Sequence, residues 1–265
     1  MRHWALAALF LAACHPQTKQ LSYEGADKTT DAARIEHGKR LTYILDCRGC
    51  HGENLQGEDM SDKPEDGAIY SPNVTLLVSK YSDAQLDQLL RHGKPRDGRE
   101  FWFMPVESFQ FLSDEDFAAL REYLRTLKPG GRPLPPFKFN AVEYKDVEQG
   151  ILGNAQAQIR KYRDHPPADM GAQYAWGRYL AQTACSECHN NALQGWPNFT
   201  PSLDIAGAYS KPELTQLLTD GRGKMGKDVG PMSRVARRNF SHLTPREREA
   251  IVDYVLARAN QPAKR

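Results

Sequence analysis

Two pentapeptides constrain this chain more than anything else in it: Cys47-Arg48-Gly49-Cys50-His51 and Cys185-Ser186-Glu187-Cys188-His189. Each is a C-x-x-C-H signature for covalent haem attachment. The two thiols add across the two vinyl groups of a haem and form two thioether bonds. The adjacent histidine then reaches the iron as an axial ligand. Other readings of C-x-x-C fail on context. A thioredoxin-like redox pair wants a βαβ pattern around it, and none is visible. A zinc site needs both pairs to converge on one metal, but they lie 138 residues apart and each carries its own histidine. The pattern asks for two covalently attached haem c groups. One is held by Cys47, Cys50 and His51, the other by Cys185, Cys188 and His189.

The chain has 5 cysteines, so haem attachment leaves only Cys14 and no pair for a disulfide. Cys14 closes the string Leu11-Ala12-Ala13-Cys14, behind an apolar run from Trp4 to Ala13 with Arg2 as the one basic residue ahead. That run is too short to span a bilayer as a helix, but it suits a signal-peptide core with small residues at the cut. Leu-Ala-Ala-Cys resembles a bacterial lipobox. The resemblance implies a leader over 1–13, lipidation of Cys14 and a mature chain starting there; the alternative is an ordinary secretory signal containing a cysteine. Either way the chain is exported, and a periplasmic location agrees with haem attachment outside the cytoplasm. Several acyl chains would anchor it to a membrane stably. His15, where an inner-membrane retention signal would place aspartate, favours the outer membrane. The mean hydropathy of −0.64 goes with the lack of any transmembrane candidate beyond the leader.

A long-period internal repeat fits duplicated domains rather than a solenoid. Leu55-Gln56-Gly57 follows His51 at the offsets at which Leu193-Gln194-Gly195 follows His189. Tyr81-Ser82, Leu86, Gln88-Leu89-Leu90 and Gly93 match Tyr209-Ser210, Leu214, Gln216-Leu217-Leu218 and Gly221, all displaced by 128 positions. Near each end, Ala119-Leu120 and Tyr123 match Ala250-Ile251 and Tyr254. The expected organisation is a leader (1–13), an N-terminal tether (14–30), a first domain (31–128), a linker (129–168) and a second domain (169–265). Pro129-Gly130-Gly131-Arg132-Pro133-Leu134-Pro135-Pro136 makes the linker start stiff and extended. A helix is expected near 146–162. So long a connection should wrap across one domain and help fix the pose of the two.

The periodicity is helical throughout. Ser82-x-x-Gln85, Ser113-x-x-Asp116, Ser210-x-x-Glu213 and Thr244-x-x-Glu247 read as capping boxes or close variants. Helices should also lead into each haem motif, around 31–46 and 171–184. Gly38 and Gly177 are placed to let one terminal helix pack closely on Tyr123 or Tyr254 of the other. No alternating apolar run argues for a sheet. The expected fold is all-α, with two domains in tandem, each wrapped round a haem that supplies much of the core a unit of about 90 residues lacks.

The sixth iron position decides between electron transfer and reactivity. Met104 and Met232 stand at the same repeat offset, 11 residues after the matched Gly93 and Gly221, each beside a proline. A thioether there favours the ferrous state, raises the potential and closes the iron to substrate. A lone methionine is normally core filling; matched spacing in two copies makes Met104 and Met232 the candidate ligands. Met225 is a local rival for Met232, but it aligns with Asp97. Met60 lies too near His51 to cross the ring, and His92 reads as a surface or capping residue. Pro72 and Pro201 are candidate carbonyl partners for the second ring nitrogen of each histidine; simple loop prolines are the equal alternative.

With these residues in hand, the chain resembles class I cytochromes c, and more closely the multihaem cytochrome c subunits of membrane-associated bacterial dehydrogenases. The resemblance rests on Tyr70-Ser71-Pro72-Asn73-Val74-Thr75, on His92 to Arg99, on Met104-Pro105, on Leu134 to Asn140, and on Gly230-Pro231-Met232-Ser233-Arg234-Val235. It implies a non-catalytic electron-transfer protein. The partners would be a dehydrogenase or respiratory donor and a cytochrome or oxidase acceptor. Those subunits often carry three haem motifs and a C-terminal membrane anchor. This chain has two motifs and a lipid signal at the other end, so a free-standing tethered shuttle fits equally well. A haem enzyme of peroxidase or thiosulfate-oxidising type is the reading if one iron is five-coordinate. Residues 31–128 hold 13 basic and 18 acidic side chains, net −5, and residues 169–265 hold 13 and 9, net +4. That balance gives no reason for nucleic-acid binding. It does suggest different partners at the two ends: an acidic run (Glu53, Glu58, Asp59, Asp62, Glu65, Asp66) follows motif 1, and a basic set (Arg222, Lys224, Lys227, Arg234, Arg237, Arg238) surrounds Met232.

Overall fold

A computed structural model describes residues 20–61, 69–149, 152–197 and 199–261. The leader, Cys14, and Asp62, Glu65 and Asp66 of the acidic run lie outside the described residues. The first unit opens with α1 (Asp31–Ile44), whose N-cap Thr30 accepts from the Ala33 amide, and continues into α2 (Cys47–His51). A two-residue antiparallel pair follows, β1 (Glu58–Asp59) against β2 (Tyr70–Ser71), with Glu58 opposite Ser71. This is the one departure from an all-helical reading among the described strands. Short α3 (Val74–Leu77), α4 (Asp83–Leu90), short α5 (Val106–Phe109) and α6 (Asp114–Thr126) complete the unit.

The linker carries two helices where one was expected near 146–162: α7 (Ala141–Glu148) and α8 (Ala155–Arg163). Gly153 disfavours helix just before the second of these, and Asn154 caps that helix, its side chain accepting from the Ala157 amide at 3.0 Å. The second unit has α9 (Ala175–Ala184), α10 (Ser186–His189), a 3-10 turn at Leu203–Ala208, α11 (Lys211–Asp220), α12 (Pro231–Arg238) and α13 (Pro245–Ala259). Complete capping boxes start α4, α11 and α13. Among the described residues no helix is long and apolar enough to cross a membrane.

The same crossing organises both units: α1 lies on α6, and α9 on α13. A Cβ at Gly38 would collide with the Ala119 carbonyl and lie 2.9 Å from Tyr123 Cβ. At Gly177 it would collide with the Ala250 carbonyl and lie 2.8 Å from Tyr254 Cβ. Glycine is needed at both because the backbones approach too closely for any side chain.

One continuous apolar core runs through both units, from Leu41, Leu120 and Phe109 to Leu180, Ile251 and Tyr254. Helix α8 lies on α5, where Val106, Ala155 and Ile159 form a small buried cluster with Met104 at its edge. Its far side meets the second unit: Asn191 Nδ2 donates to the Tyr162 carbonyl at 3.1 Å, and the Tyr162 and Trp196 rings pack edge to face. The linker is thus a wedge between the units. The earlier extended stretch is held on the first unit by Asn73, whose Nδ2 donates to the Gly130 carbonyl at 2.8 Å.

Within the tether expected over 14–30, the described residues are docked from Gln20 onward, whose Oε1 accepts from the Asp114 amide at 2.9 Å. The Tyr23 amide donates to Asp116 Oδ2 at 2.9 Å, and its hydroxyl pairs with Thr183 Oγ1 at 2.8 Å. The Glu24 amide donates to Glu247 Oε1 at 2.8 Å. Each half of this segment therefore holds an acid at the N-terminus of a different unit's last helix.

Candidate haem-attachment sites

Each attachment motif forms a short helical turn ending at its histidine. His51 Nδ1 donates to the Pro72 carbonyl, and His189 Nδ1 to the Pro201 carbonyl, both at 2.8 Å. These bonds fix the ring orientation and the tautomer, and they leave each Nε2 as a lone-pair donor. Burial lowers both histidines' proton affinity, opposed in each by the carbonyl bond. Two neutral, oriented, buried imidazoles beside thiol pairs are the donor set that covalent haem requires. The residues present fit that group.

None of the four described cysteines is joined in a disulfide. Burial pushes Cys47 and Cys185 up to about 12 and Cys188 up to about 11. Cys50 is raised too, by burial and then by Glu187.

Met104 and Met232 are both partly buried and packed against the shared core. Met104 directly precedes the Pro105 cap of α5, and Met232 is the second residue of α12. Their rivals point outward: Met225 is 82 % exposed and Met60 39 %. His92 lies at the surface beside Asp87, 3.4 Å away.

The sequence gives no hint of several residues that shape these sites. Arg48, inside motif 1, is buried; it donates to Thr42 Oγ1 at 2.9 Å and to the Tyr123 hydroxyl at 2.6 Å, bolting α2 to α1 and α6. At the matching position of motif 2, Ser186 donates instead to Ser108 Oγ of α5, at 2.6 Å. Arg238 is not a free docking cation: it pairs with Asp46, the residue before Cys47, at 2.6 Å. Arg222 and Arg237 are likewise paired, with Asp220 and Asp228. A cavity of about 300 Å³ is lined by Met104, Glu107, Gln158, Glu187 and Trp196, among others. Burial raises Glu107 to about 7; Glu187 is pushed to about 8 by burial, then by Asp46 and Glu107. Position-by-position reading cannot find the roles of Ser186, Glu187 and Arg238, because each acts on the other domain.

The chain is similar to known proteins along both units. Residues 35–128 match the family described as Cytochrome c, and residues 172–255 the family described as Cytochrome C oxidase, cbb3-type, subunit III. The chain is 28% identical to the fructose dehydrogenase cytochrome subunit of Gluconobacter japonicus, over 83% of this chain and 52% of that protein. It is 32% identical to the alcohol dehydrogenase (quinone) cytochrome c subunit of Gluconacetobacter polyoxogenes, over 85% and 56%. It is 26% identical to a diheme cytochrome c-type protein of Cereibacter sphaeroides, over 87% and 86%. The chain thus spans about half the length of the first two relatives. Its two halves are cytochrome c domains in tandem, and as a whole it is similar to the cytochrome c subunits of bacterial dehydrogenases.

Proposed function

We propose that this chain is a periplasmic dihaem cytochrome c, tethered to a membrane by a lipid on Cys14, that passes single electrons between redox proteins. The observation that carries this reading is the matched pair of histidines, each turned by a proline carbonyl at 2.8 Å beside its own cysteine pair. Cys47 and Cys50 hold one haem, and Cys185 and Cys188 the other. His51 and His189 would each ligate a haem iron, with Met104 and Met232 as the second protein ligands. Bound haem supplies a one-electron ferric–ferrous couple. The polypeptide excludes water, orients the imidazoles and presents the thioethers; it performs no bond chemistry of its own. The names of the relatives favour a dehydrogenase as donor, which makes this chain its electron-accepting subunit or shuttle, with a cytochrome or oxidase as acceptor.

The test is the visible spectrum of the reduced holoprotein before and after carbon monoxide, with haem counted per chain. Two haems and an unchanged spectrum are expected. A shift in half of the haem would mean an open iron, and the reading would pass to a haem enzyme of the peroxidase or thiosulfate-oxidising type. Met104→Ala and Met232→Ala should each open one site to carbon monoxide; a variant that stays closed does not have its ligand at that methionine.

A further inference from the structure

The two attachment turns, 138 residues apart in sequence, meet in space. Cys50 Sγ lies 3.9 Å from Glu187 Oε1, and Glu187 is bonded directly to Cys188. The packing around this contact is reciprocal. Helix α5, just after Met104, rests on motif 2 through Ser108 and Ser186, at 2.6 Å. Helix α12, which carries Met232, reaches motif 1 through Arg238 and Asp46, also at 2.6 Å. Motif 1 has glycine where motif 2 has Glu187, and the difference has a steric reason. A Cβ at Gly49 would strike the Asp46 carboxylate and the Arg238 guanidinium. Glycine there leaves room for the Asp46–Arg238 pair, while Glu187 extends its side chain from the other turn toward Cys50.

We infer that electrons pass between the two haem sites within one molecule across the junction Cys50–Glu187–Cys188, with Glu187 as the bridging residue. The inference rests on the proposed two-haem function. If Cys50 carries one haem and Cys188 the other, a single side chain spans the space between the two covalent attachments. One electron leaves the reduced iron and reaches the oxidised one; no bond is made or broken and no proton need move. The contact is also fixed in place. The Asp46–Arg238 pair, the Ser108–Ser186 bond and the common core hold both turns, so the spacing does not depend on an encounter with a partner. Glu187 acts here as a positioning and bridging residue.

Exchange NMR on half-reduced holoprotein tests this. Cross-peaks between oxidised and reduced haem-methyl signals give the electron-exchange rate, measured at several protein concentrations. Its extrapolation to zero concentration is the intramolecular part. A clear non-zero intercept is expected for the parent. Glu187→Gln, which keeps the bridging atoms, should leave the intercept unchanged. Glu187→Gly, which copies motif 1, should lower it severalfold while the concentration-dependent slope stays the same. Glu187→Ala serves in its place if the glycine variant loses haem. A zero intercept in the parent, or an intercept that neither truncation lowers, overturns the inference. Haem is counted in every sample: fewer than two per parent chain would overturn the two-haem function itself, a different failure from a junction that does not conduct.

Discussion

Glu107 illustrates what burial does to one side chain. It sits in α5, three residues past Met104, and lines the cavity shared with Glu187. Burial raises its proton affinity from the ordinary 4.5 to about 7. Between those values the folded chain holds a proton that the unfolded chain has released. The stability that goes with the proton is complete below 4.5 and is lost as pH rises through about 7. Glu107→Gln keeps the shape and cannot ionise. Denaturant unfolding of the two holoproteins should show the variant gaining on the parent as pH rises across that window; a difference flat with pH would mean that Glu107 ionises freely in the fold. His51 and His189 show the same force in the other direction, since burial favours the neutral ring that can bind iron.

The helix crossings carry the fold at the next scale. Glycine inside a helix costs about 0.5–1 kcal/mol relative to alanine, so Gly38→Ala and Gly177→Ala would help isolated helices. In the folded chain each added methyl would meet a backbone carbonyl that cannot swing aside. Overpacking of that kind costs about 1–3 kcal/mol, and it should win. Both variants are expected to unfold at lower denaturant than the parent, and equal or greater stability would show slack in the crossing. The capping signals make a parallel case. Ser82, Ser210 and Thr244 close full boxes with Gln85, Glu213 and Glu247, but at α6 only half of the box forms. Ser113 Oγ accepts from the Asp116 amide at 3.1 Å, but the Ser113 amide donates to the Tyr179 hydroxyl at 3.2 Å, and the buried Asp116 carboxylate reaches only the Ser113 hydroxyl of the cap, at 3.0 Å, on its way inward.

That inward turn belongs to the whole molecule. Asp116, fully buried, accepts from the Tyr23 amide at 2.9 Å, the Tyr179 hydroxyl at 2.7 Å and His37 Nε2 at 2.8 Å. It therefore joins the N-terminal segment, α1, α6 and α9 of the other unit. Removing it strands the buried Tyr23, Tyr179 and His37 donors, each a loss of about 1–3 kcal/mol. Tyr23→Phe removes only the bond to Thr183, worth about 1 kcal/mol. Unfolding of holo Asp116→Ala should thus fall well below that of Tyr23→Phe, and the reverse order would remove Asp116 from the centre of the interface. Much of this protein could be read from the chain itself, because the relevant forces act over a few residues. Two thiols and a histidine share one turn in each unit, and capping residues start the helices around them. The glycine at each helix crossing was also legible, since both copies place it opposite an aromatic. Three features were not. Arg238 looked like a docking cation and is drawn to Asp46; residues 22–24 looked like tether and hold both units; the linker helix is split in two. The meeting of Cys50 with Glu187 is the furthest from any local signal. Tertiary structure decided these because each depends on how two similar domains press together, and only their shared core and buried ion pairs bring such distant residues within reach.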